Sequence, residues 1–270
     1  MKPSTQPRVG LARALSKLGY CSRSEAIRLI RMGRVAVNGT ILCDPERPVR
    51  WQRDRIAIAG QTIAAPARVY LMLNKPRGVV TTASDERGRS TVYDGLEANL
   101  PWLGPVGRLD KASEGLLLLT NDSEWAARVT SPETHLDKTY HVQIGSVATE
   151  ALLADLTQGV ASSEGELLRA KAVRLLRSGG KNSWLEIVLD EGKNRHIRRM
   201  LAACGIEVLR LVRVAIGPLT LGKLAKGESR FLTVREKQGL DAAMKMSPVR
   251  DCRQSSPAKA RQPRMSVERD

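Results

Sequence analysis

The sequence has 270 residues, of which 44 are Lys or Arg and 28 are Asp or Glu, so its formal net charge is +16. This length predicts two domains of ordinary size, each able to bury its own core. No run of about 18 apolar residues and no apolar secretory segment at the N-terminus is found, so we expect neither a membrane span nor export. Four widely spaced cysteines without a CxxC pair, together with only three histidines, predict a reduced, metal-free protein of the cytoplasm.

The basic charge is concentrated near the N-terminus. Residues 1–65 contain 12 Lys or Arg and 4 Asp or Glu, which places half of the excess in a quarter of the chain. Such clusters are typical of proteins that bind polyanions, because basic side chains release counterions from a phosphate backbone. A surface charge that serves solubility alone is the alternative.

Two short helices are predicted in this segment. The first begins at Leu11, has leucines at helical spacing and ends at Gly19. The second begins at Ser22, which forms a capping box with Glu25, and it ends at Gly33. Arginines recur on the outward face of the second helix, so a basic stripe is expected there.

The sequence RVAVNGTIL follows and predicts a tight hairpin around Asn38 and Gly39, a dipeptide that tolerates positive φ. Two helices followed by a hairpin within residues 8–65 resemble the small RNA-binding domain of the S4 type, named after a ribosomal small-subunit protein. The resemblance implies that this domain docks on structured RNA by shape and phosphate contacts. The residues implied to make those contacts are Arg23, Arg28, Arg31 and Arg34. A generic basic helical domain with solvated arginines is the alternative.

Residues 60–68 are small, proline-containing and weakly periodic, which predicts a linker. The body, residues 69–238, predicts an α+β domain with a mixed, largely antiparallel sheet, because its strands cluster without regular βαβ alternation. The predicted strands are 69–73, 115–120, 139–145, 171–177, 184–190, 207–217 and 230–234, and the predicted helices are 122–131, with Asp122 as N-cap, and 194–205. Residues 240–270 are rich in Ser, Pro, Arg and Gln and predict a disordered basic tail.

The segment GRLDKASEGLLLLTND, residues 107–122, places a charged Arg-x-Asp pair directly before an unbroken apolar run. Four consecutive leucines without alternation predict a rigid strand that is covered on both faces. Gly107 and Gly115 permit a sharply turned loop that would hold Arg108 and Asp110 at the lip of the sheet. A fixed carboxylate suits catalysis. The alternative is that the two side chains only neutralise each other or cap a turn.

Four segments occur in the order LNKPRGVVTT (73–82), GRLDKASEGLLLLTND, KTYHVQIG (138–145) and EGKNRHIRRMLAACG (191–205). They resemble the four motifs of bacterial pseudouridine synthases of the ribosomal small-subunit (RsuA-like) type, a family that also modifies large-subunit RNA. The resemblance extends from residue 8 to about residue 235. It implies isomerisation of uridine to pseudouridine in ribosomal RNA or a pre-ribosomal particle, on a flipped-out base and without cofactor or metal. We expect a monomer, and large-subunit RNA is slightly favoured.

The resemblance also implies roles for single residues. Asp110 matches the catalytic aspartate and would act either as nucleophile or as the base that starts glycal formation. Tyr140 matches the tyrosine that packs beside the uracil and helps to remove the proton from carbon 5. Arg198 matches the basic residue that pairs with the catalytic aspartate and keeps it ionised. Arg108 would contact RNA and hold the flipped nucleotide.

The motifs contain three further positions of note. Lys75 and Pro76 belong to the first motif, whose role in the family is structural. His196 stands where many relatives have Gln or Glu, so this chain departs from the family pattern there.

Two other functions fit parts of the sequence. A non-catalytic RNA-binding assembly factor would carry the same N-terminal module, but it would have lost the catalytic set that is present here. A phosphodiester nuclease would need clustered carboxylates for two metals or a pair of histidines. Only Glu114 and Asp122 lie close to Asp110 in sequence, and the histidines are scattered.

Overall fold

The computed structural model describes residues 8–63, 66–83 and 85–245. The N-terminal unit consists of two helices and short antiparallel strands. Its elements are β1 (Val9–Gly10), α1 (Leu11–Lys17), α2 (Arg23–Arg31), β2 (Val35–Val37), β3 (Thr40–Ile41), β4 (Pro48–Val49), β5 (Ile56–Ile58) and β6 (Gln61–Thr62). Four of the strands form a sheet with the order β3-β2-β5-β6, and β1 pairs with β4.

The start of α2 and the hairpin agree with the local sequence. The hydroxyl of Ser22 accepts the backbone N–H of Glu25 at 3.1 Å, which satisfies one free donor of the helix N-terminus. The Glu25 carboxylate binds Arg28 at 2.6 Å, so it is used in an ion pair one turn along the helix. Asn38 and Gly39 both have positive φ, at 51° and 86°, which confirms the predicted turn between β2 and β3.

The body of the chain is built on one large mixed sheet. Its strands follow the order β13-β14-β10-β15-β9-β7-β17, with β16 beside β15 and β8 beside β9. Only the β15–β9 pair is parallel among the described strands. The elements are β7 (Tyr70–Lys75), β8 (Gly104–Val106), β9 (Glu114–Thr120), α3 (Ser123–Thr130), a 3₁₀ turn (Pro132–Thr134), β10 (Lys138–Ile144), α4 (Glu150–Gln158), β11 (Val160–Ala161), β12 (Leu167–Leu168), β13 (Ala172–Ser178), β14 (Ser183–Leu189), α5 (His196–Ala203), β15 (Val208–Ile216), β16 (Leu219–Thr220), β17 (Ser229–Phe231) and α6 (Val234–Lys245).

Strand β9 is buried along its whole length, as its leucine run predicts. Leu116 and Leu118 pack in a cluster with side chains of α3 and α6, whereas Leu117 and Leu119 pack in a second cluster on the other face. A strand whose two faces are both apolar is stable only where a layer of side chains covers each face. The loop that enters β9 is therefore attached to a rigid element.

Two helices of the body were not predicted. In α4, Leu152 and Leu156 lie one turn apart and are buried. In α6, Leu240 and Met244 also lie one turn apart and are buried. The predicted start of the tail at residue 240 is therefore wrong. Residue 234, which was predicted to end a strand, begins this helix. The thin apolar stripe of α6 in polar surroundings resembles unstructured sequence. The rest of the predicted tail, 246–270, lies outside the described residues.

The predicted linker at 60–68 is partly ordered. Gln61 and Thr62 form β6 and pair with β5. The Asn121 side chain accepts the N–H of Val69 at 2.8 Å and donates to the carbonyl of Ala67 at 2.9 Å, which ties the end of this segment to β9. Residues 64 and 65 lie outside the described residues.

The N-terminal unit contacts α3, the helix that directly follows β9. Lys17 at the end of α1 forms an ion pair with Glu124 at 2.9 Å and lies over the ring of Trp51 at 5.6 Å. Arg68 binds the Asp122 carboxylate that caps α3. Throughout the described ranges, none of the helices combines the length and apolar character needed to cross a bilayer.

Candidate active site

Asp110 lies in the loop between β8 and β9. The loop turns at Gly107, which has φ +73°, and closes where the N–H of Ser113 donates to the carbonyl of Asp110 at 2.9 Å. At its far end Gly115, with φ +102°, passes so close to β15 that a Cβ there would overlap the carbonyl oxygen of Arg213. Both glycines are therefore required by the path of the loop.

The side chain of Lys75 holds this loop by hydrogen bonds to its backbone. Its side chain is fully buried, and Nζ donates to the carbonyls of Ser113 at 2.8 Å, Pro76 at 3.1 Å and Asp110 at 3.2 Å. Burial lowers the pKa of Lys75 to about 8, while the nearby Asp110 and Glu114 oppose that shift. The structural role that was expected for the first motif thus takes the form of hydrogen bonds to the backbone that carries Asp110.

Arg198 supports the same loop from the other side. Its Nη2 donates to the carbonyl of Ala112 at 3.1 Å and its Nη1 points to the carbonyl of Val208 at 3.5 Å. No ion pair within 4.0 Å joins Arg198 to Asp110 in the described chain, so the predicted direct pair is not formed. The guanidinium of Arg198 is instead committed to backbone carbonyls, and burial lowers the pKa of Arg198.

Arg195 is the cation nearest to the Asp110 carboxylate. Its Nη1 lies 3.9 Å from Oδ2 of Asp110, and its side chain is about half exposed, at 53%. Arg195 is the N-cap residue of α5 and lies in the left-handed region, with φ 48°. Sequence reasoning missed this residue, although it lies within the fourth motif.

A cleft of about 380 Å³ opens above Asp110. Arg108 and Tyr140 line it together with Asp110, so the structure brings three of the predicted site residues to one place. Tyr140 is half-buried on β10, and Arg108 is exposed. The described side chains include no ion pair between Arg108 and Asp110, which argues against the alternative that the two only neutralise each other.

Cations outnumber carboxylates among the charged side chains of the cleft. Lys138, Lys193, Arg195 and Arg213 line it together with Arg108, while Asp110 and Glu191 supply the carboxylates. Burial and the neighbouring Arg213 lower the pKa of Lys138. Arg213 itself is buried and donates from Nε to the carbonyl of Leu116 at 2.7 Å. A pocket with this charge suits a nucleotide, whose phosphates are negative and whose base is neutral.

His196 forms part of the cleft wall. It is 3% exposed, and within the described ranges neither ring nitrogen has a hydrogen-bond partner. Nδ1 lies 3.7 Å from the carboxylate of Glu191, and burial lowers the pKa of His196. The neutral ring is therefore favoured.

A second depression, of about 470 Å³, adjoins the cleft and shares Arg108, Asp110 and Arg195 with it. Arg87 and Lys111 also line this depression. The four arginines predicted on the N-terminal unit are exposed and do not line the cleft, and Arg28 among them is already paired with Glu25. In the described ranges, no three His, Cys, Asp or Glu side chains form a set that could hold a metal ion.

Comparison with known proteins assigns both parts of the chain. Residues 69–203 match the RNA pseudouridylate synthase family, and residues 9–56 match the S4 domain. The large-subunit ribosomal pseudouridine synthase B of Bacillus subtilis is 37% identical over 234 residues, which cover 86% of this chain and 95% of that protein. An uncharacterized RNA pseudouridine synthase of Aquifex aeolicus is 35% identical over 89% of this chain and 97% of its own length.

A solved structure is similar over the same range. The crystal structure of a pseudouridylate synthase aligns with a TM-score of 0.61 and 32% identity, covering 87% of this chain and all of that chain. The alignment therefore spans the N-terminal unit as well as the body.

Proposed function

The chain belongs to the RNA pseudouridine synthase family, and we propose that it modifies large-subunit ribosomal RNA with Asp110 as the catalytic carboxylate. The observation that carries the proposal is the position of Asp110, which stands at a cationic cleft on a loop fixed by Lys75 and Arg198. Such a loop holds a reacting group without reorganisation during the reaction.

The reaction breaks the bond between N1 of uracil and C1′ of the ribose and forms a bond between C5 and C1′. The proton leaves C5 and N1 gains one, so substrate and product are isomers. Asp110 acts on the sugar, either by attack on C1′ or by removal of a proton that starts glycal formation. Tyr140 lines the same cleft, within reach of a base beside Asp110, and would help to take the proton from C5.

The target uridine must leave its stack before Asp110 can reach the sugar, at a cost of a few kcal/mol. Arg108, Arg195 and Lys138 around the cleft would offset part of that cost by binding the flipped nucleotide. Arg23, Arg28, Arg31 and Arg34 on the N-terminal unit would hold phosphates farther along the RNA. The relative from Bacillus subtilis, which acts on the large subunit, supports the choice of RNA.

We place the protein in the cytoplasm, since ribosomal RNA is its substrate. We also propose that the protein acts as a monomer. The division into an RNA-binding domain (8–65) and a catalytic domain that extends through α6 is supported by a separate core cluster in the N-terminal unit.

The proposal is tested with ribosomal RNA that carries tritium at C5 of its uridines. The wild-type protein should release tritium from large-subunit RNA, and Asp110→Asn should abolish release while RNA binding is retained. Carbodiimide mapping of ribosomal RNA from cells with and without the gene then identifies the modified uridine. Binding without tritium release by the wild type would favour a non-catalytic assembly factor, and release by Asp110→Asn near the wild-type rate would remove Asp110 from the mechanism.

A further inference from the structure

A row of side chains crosses the sheet on the face opposite the active-site cleft. Arg177 of β13 is the register partner of Trp184 on β14, Trp184 is the partner of Gln143 on β10, and Gln143 is the partner of Arg210 on β15. Leu211 and Arg213, which follow Arg210 on β15 by one and three residues, line the cleft. Since side chains alternate along a strand, the row faces the other way.

Trp184 lies between the two arginines in this row. The guanidinium carbon of Arg177 is 5.1 Å from the centre of the indole ring, and that of Arg210 is 5.8 Å away. The ring is partly exposed at the wall of a depression of about 420 Å³, whose floor includes Val212 and Val214. Because both guanidinium groups lie over the ring, a flat group that stacks on it takes the place of one of them, and the released cation can then bind a phosphate beside the stacked group.

The charge of this row is positive and only partly compensated. Among the described residues Arg177 has no acidic partner, and Arg210 shares the Glu114 carboxylate with Lys226, at 2.9 Å and 2.8 Å. Two cations on one carboxylate leave a positive excess.

The adjacent row on the same face is different. There Arg174 binds Glu186 at 2.6 Å, and His141 binds the same carboxylate at 3.3 Å. Of the arginines in these two rows, the two that flank Trp184 are therefore the less compensated.

We propose that the row formed by Arg177, Trp184 and Arg210 is a second RNA-contact site. An unpaired base of the RNA stacks on Trp184, and the two arginines bind the phosphates on either side of that base. Aromatic rings flanked by arginines bind single-stranded RNA in this way, and every base offers a π face, so the contact tolerates sequence variation. The inference rests on the proposed function, since the RNA is the substrate whose uridine occupies the cleft.

Crosslinking and binding test this site. A transcript of large-subunit ribosomal RNA that contains 5-iodouridine is irradiated with the full-length protein, and the crosslinked peptides are identified by mass spectrometry. Binding of the unmodified transcript is then compared for wild type, Trp184→Leu, Trp184→Phe and Arg177→Ala. Lys171→Ala is the matched control, because it removes a cation beside the same strand whose ammonium is already paired with Asp137 at 2.7 Å.

We expect a crosslink in the peptide that contains Trp184. Trp184→Leu should raise Kd by about 5- to 100-fold, Trp184→Phe should restore part of the affinity, and Arg177→Ala should lower the salt slope by about 0.7. Lys171→Ala should change neither quantity. Tritium release at saturating RNA should stay within about twofold of wild type in all four variants, since none of these residues touches the reacting uridine.

An unchanged Kd in both Trp184 variants, or a crosslink that never includes this peptide, overturns the proposal. A change in the sedimentation of the protein alone, with unchanged RNA affinity, would assign the face to a second copy and also overturns it. Absence of tritium release by the wild type, with the crosslink and the Kd change both present, would refute the proposed function and leave this RNA site standing.

Discussion

Replacing Arg198 and Arg195 separately distinguishes two ways of holding Asp110. Arg198 donates to the backbone carbonyl of Ala112 at 3.1 Å, whereas Arg195 lies 3.9 Å from the Asp110 carboxylate itself. If the loop is held mainly through its backbone, Arg198→Ala should slow the chemical step far more than Arg195→Ala.

The magnitudes follow from burial. A hydrogen bond from a charged donor contributes about 1.5 to 3 kcal/mol, so loss of the Arg198 bond predicts a rate lower by about 10- to 150-fold. Two unit charges at 4 Å attract by about 1 kcal/mol in water and about 4 kcal/mol at an effective dielectric constant of about 20. The side chains of Arg195 and Asp110 are 53% and 33% exposed, which places their pair near the lower limit. Arg195→Ala should therefore cost about fivefold or less.

The assay is tritium release under single-turnover conditions with enzyme in excess, at two salt concentrations. Because salt screens exposed pairs, the Arg195→Ala effect should shrink as salt rises, while the Arg198→Ala effect should persist. Thermal unfolding of each variant controls for loss of fold. A larger loss in Arg195→Ala than in Arg198→Ala would show that the direct ion pair, and not the backbone bond, holds the carboxylate.

Other changes test the remaining parts of the site. Lys75→Met should lower turnover by about 100-fold, because the carbonyls of Asp110 and Ser113 in the loop lose their donor and a small displacement of the reacting group has an effect of that size. Wild-type turnover should also fall as pH rises through about 8, where buried Lys75 loses its proton, and a flat profile there would contradict this role. Arg31→Ala should reduce the slope of log affinity against log salt by about 0.7 to 0.9, and Arg28→Ala by less, because Glu25 already neutralises Arg28; equal slopes for wild type and Arg31→Ala would exclude a phosphate contact. Tyr140→Phe should leave that slope unchanged and slow tritium release by about 100-fold or more, and a changed slope would place Tyr140 in binding instead of chemistry.

Local signals in the sequence were sufficient for much of the fold. The leucine run of β9 predicted a strand covered on both faces, and Asn38-Gly39 predicted the hairpin, because each feature depends on neighbours in the chain. The helix α6 was missed since only Leu240 and Met244 of its twelve residues are buried. Their burial depends on what α6 packs against, which no local pattern contains.

The motifs predicted that Arg108, Asp110 and Tyr140 belong to one site, and all three line one cleft. The motifs did not show which group the Arg198 side chain binds. A long arginine side chain reaches either a carboxylate or a carbonyl from the same Cα position. Which one it binds depends on where the loop of residues 107–113 places its backbone oxygens, and that is set by Gly107 and by contacts with β7.

Two cations of this site, buried Lys75 and half-buried Arg198, are committed to the protein, whereas exposed Arg108 and Arg195 are available to the ligand. Lys75 and Arg198 lose hydration on folding, which lowers the pKa of each, and both recover part of that loss by binding carbonyls of the Asp110 loop. Arg108 and Arg195 keep their hydration and can exchange it for phosphate oxygens. Because a cation that binds RNA must be free to move toward it, while one that positions Asp110 must not move, a single arginine would serve both purposes poorly. Arg195 and Arg198 therefore divide these tasks, although they lie only three residues apart in the fourth motif.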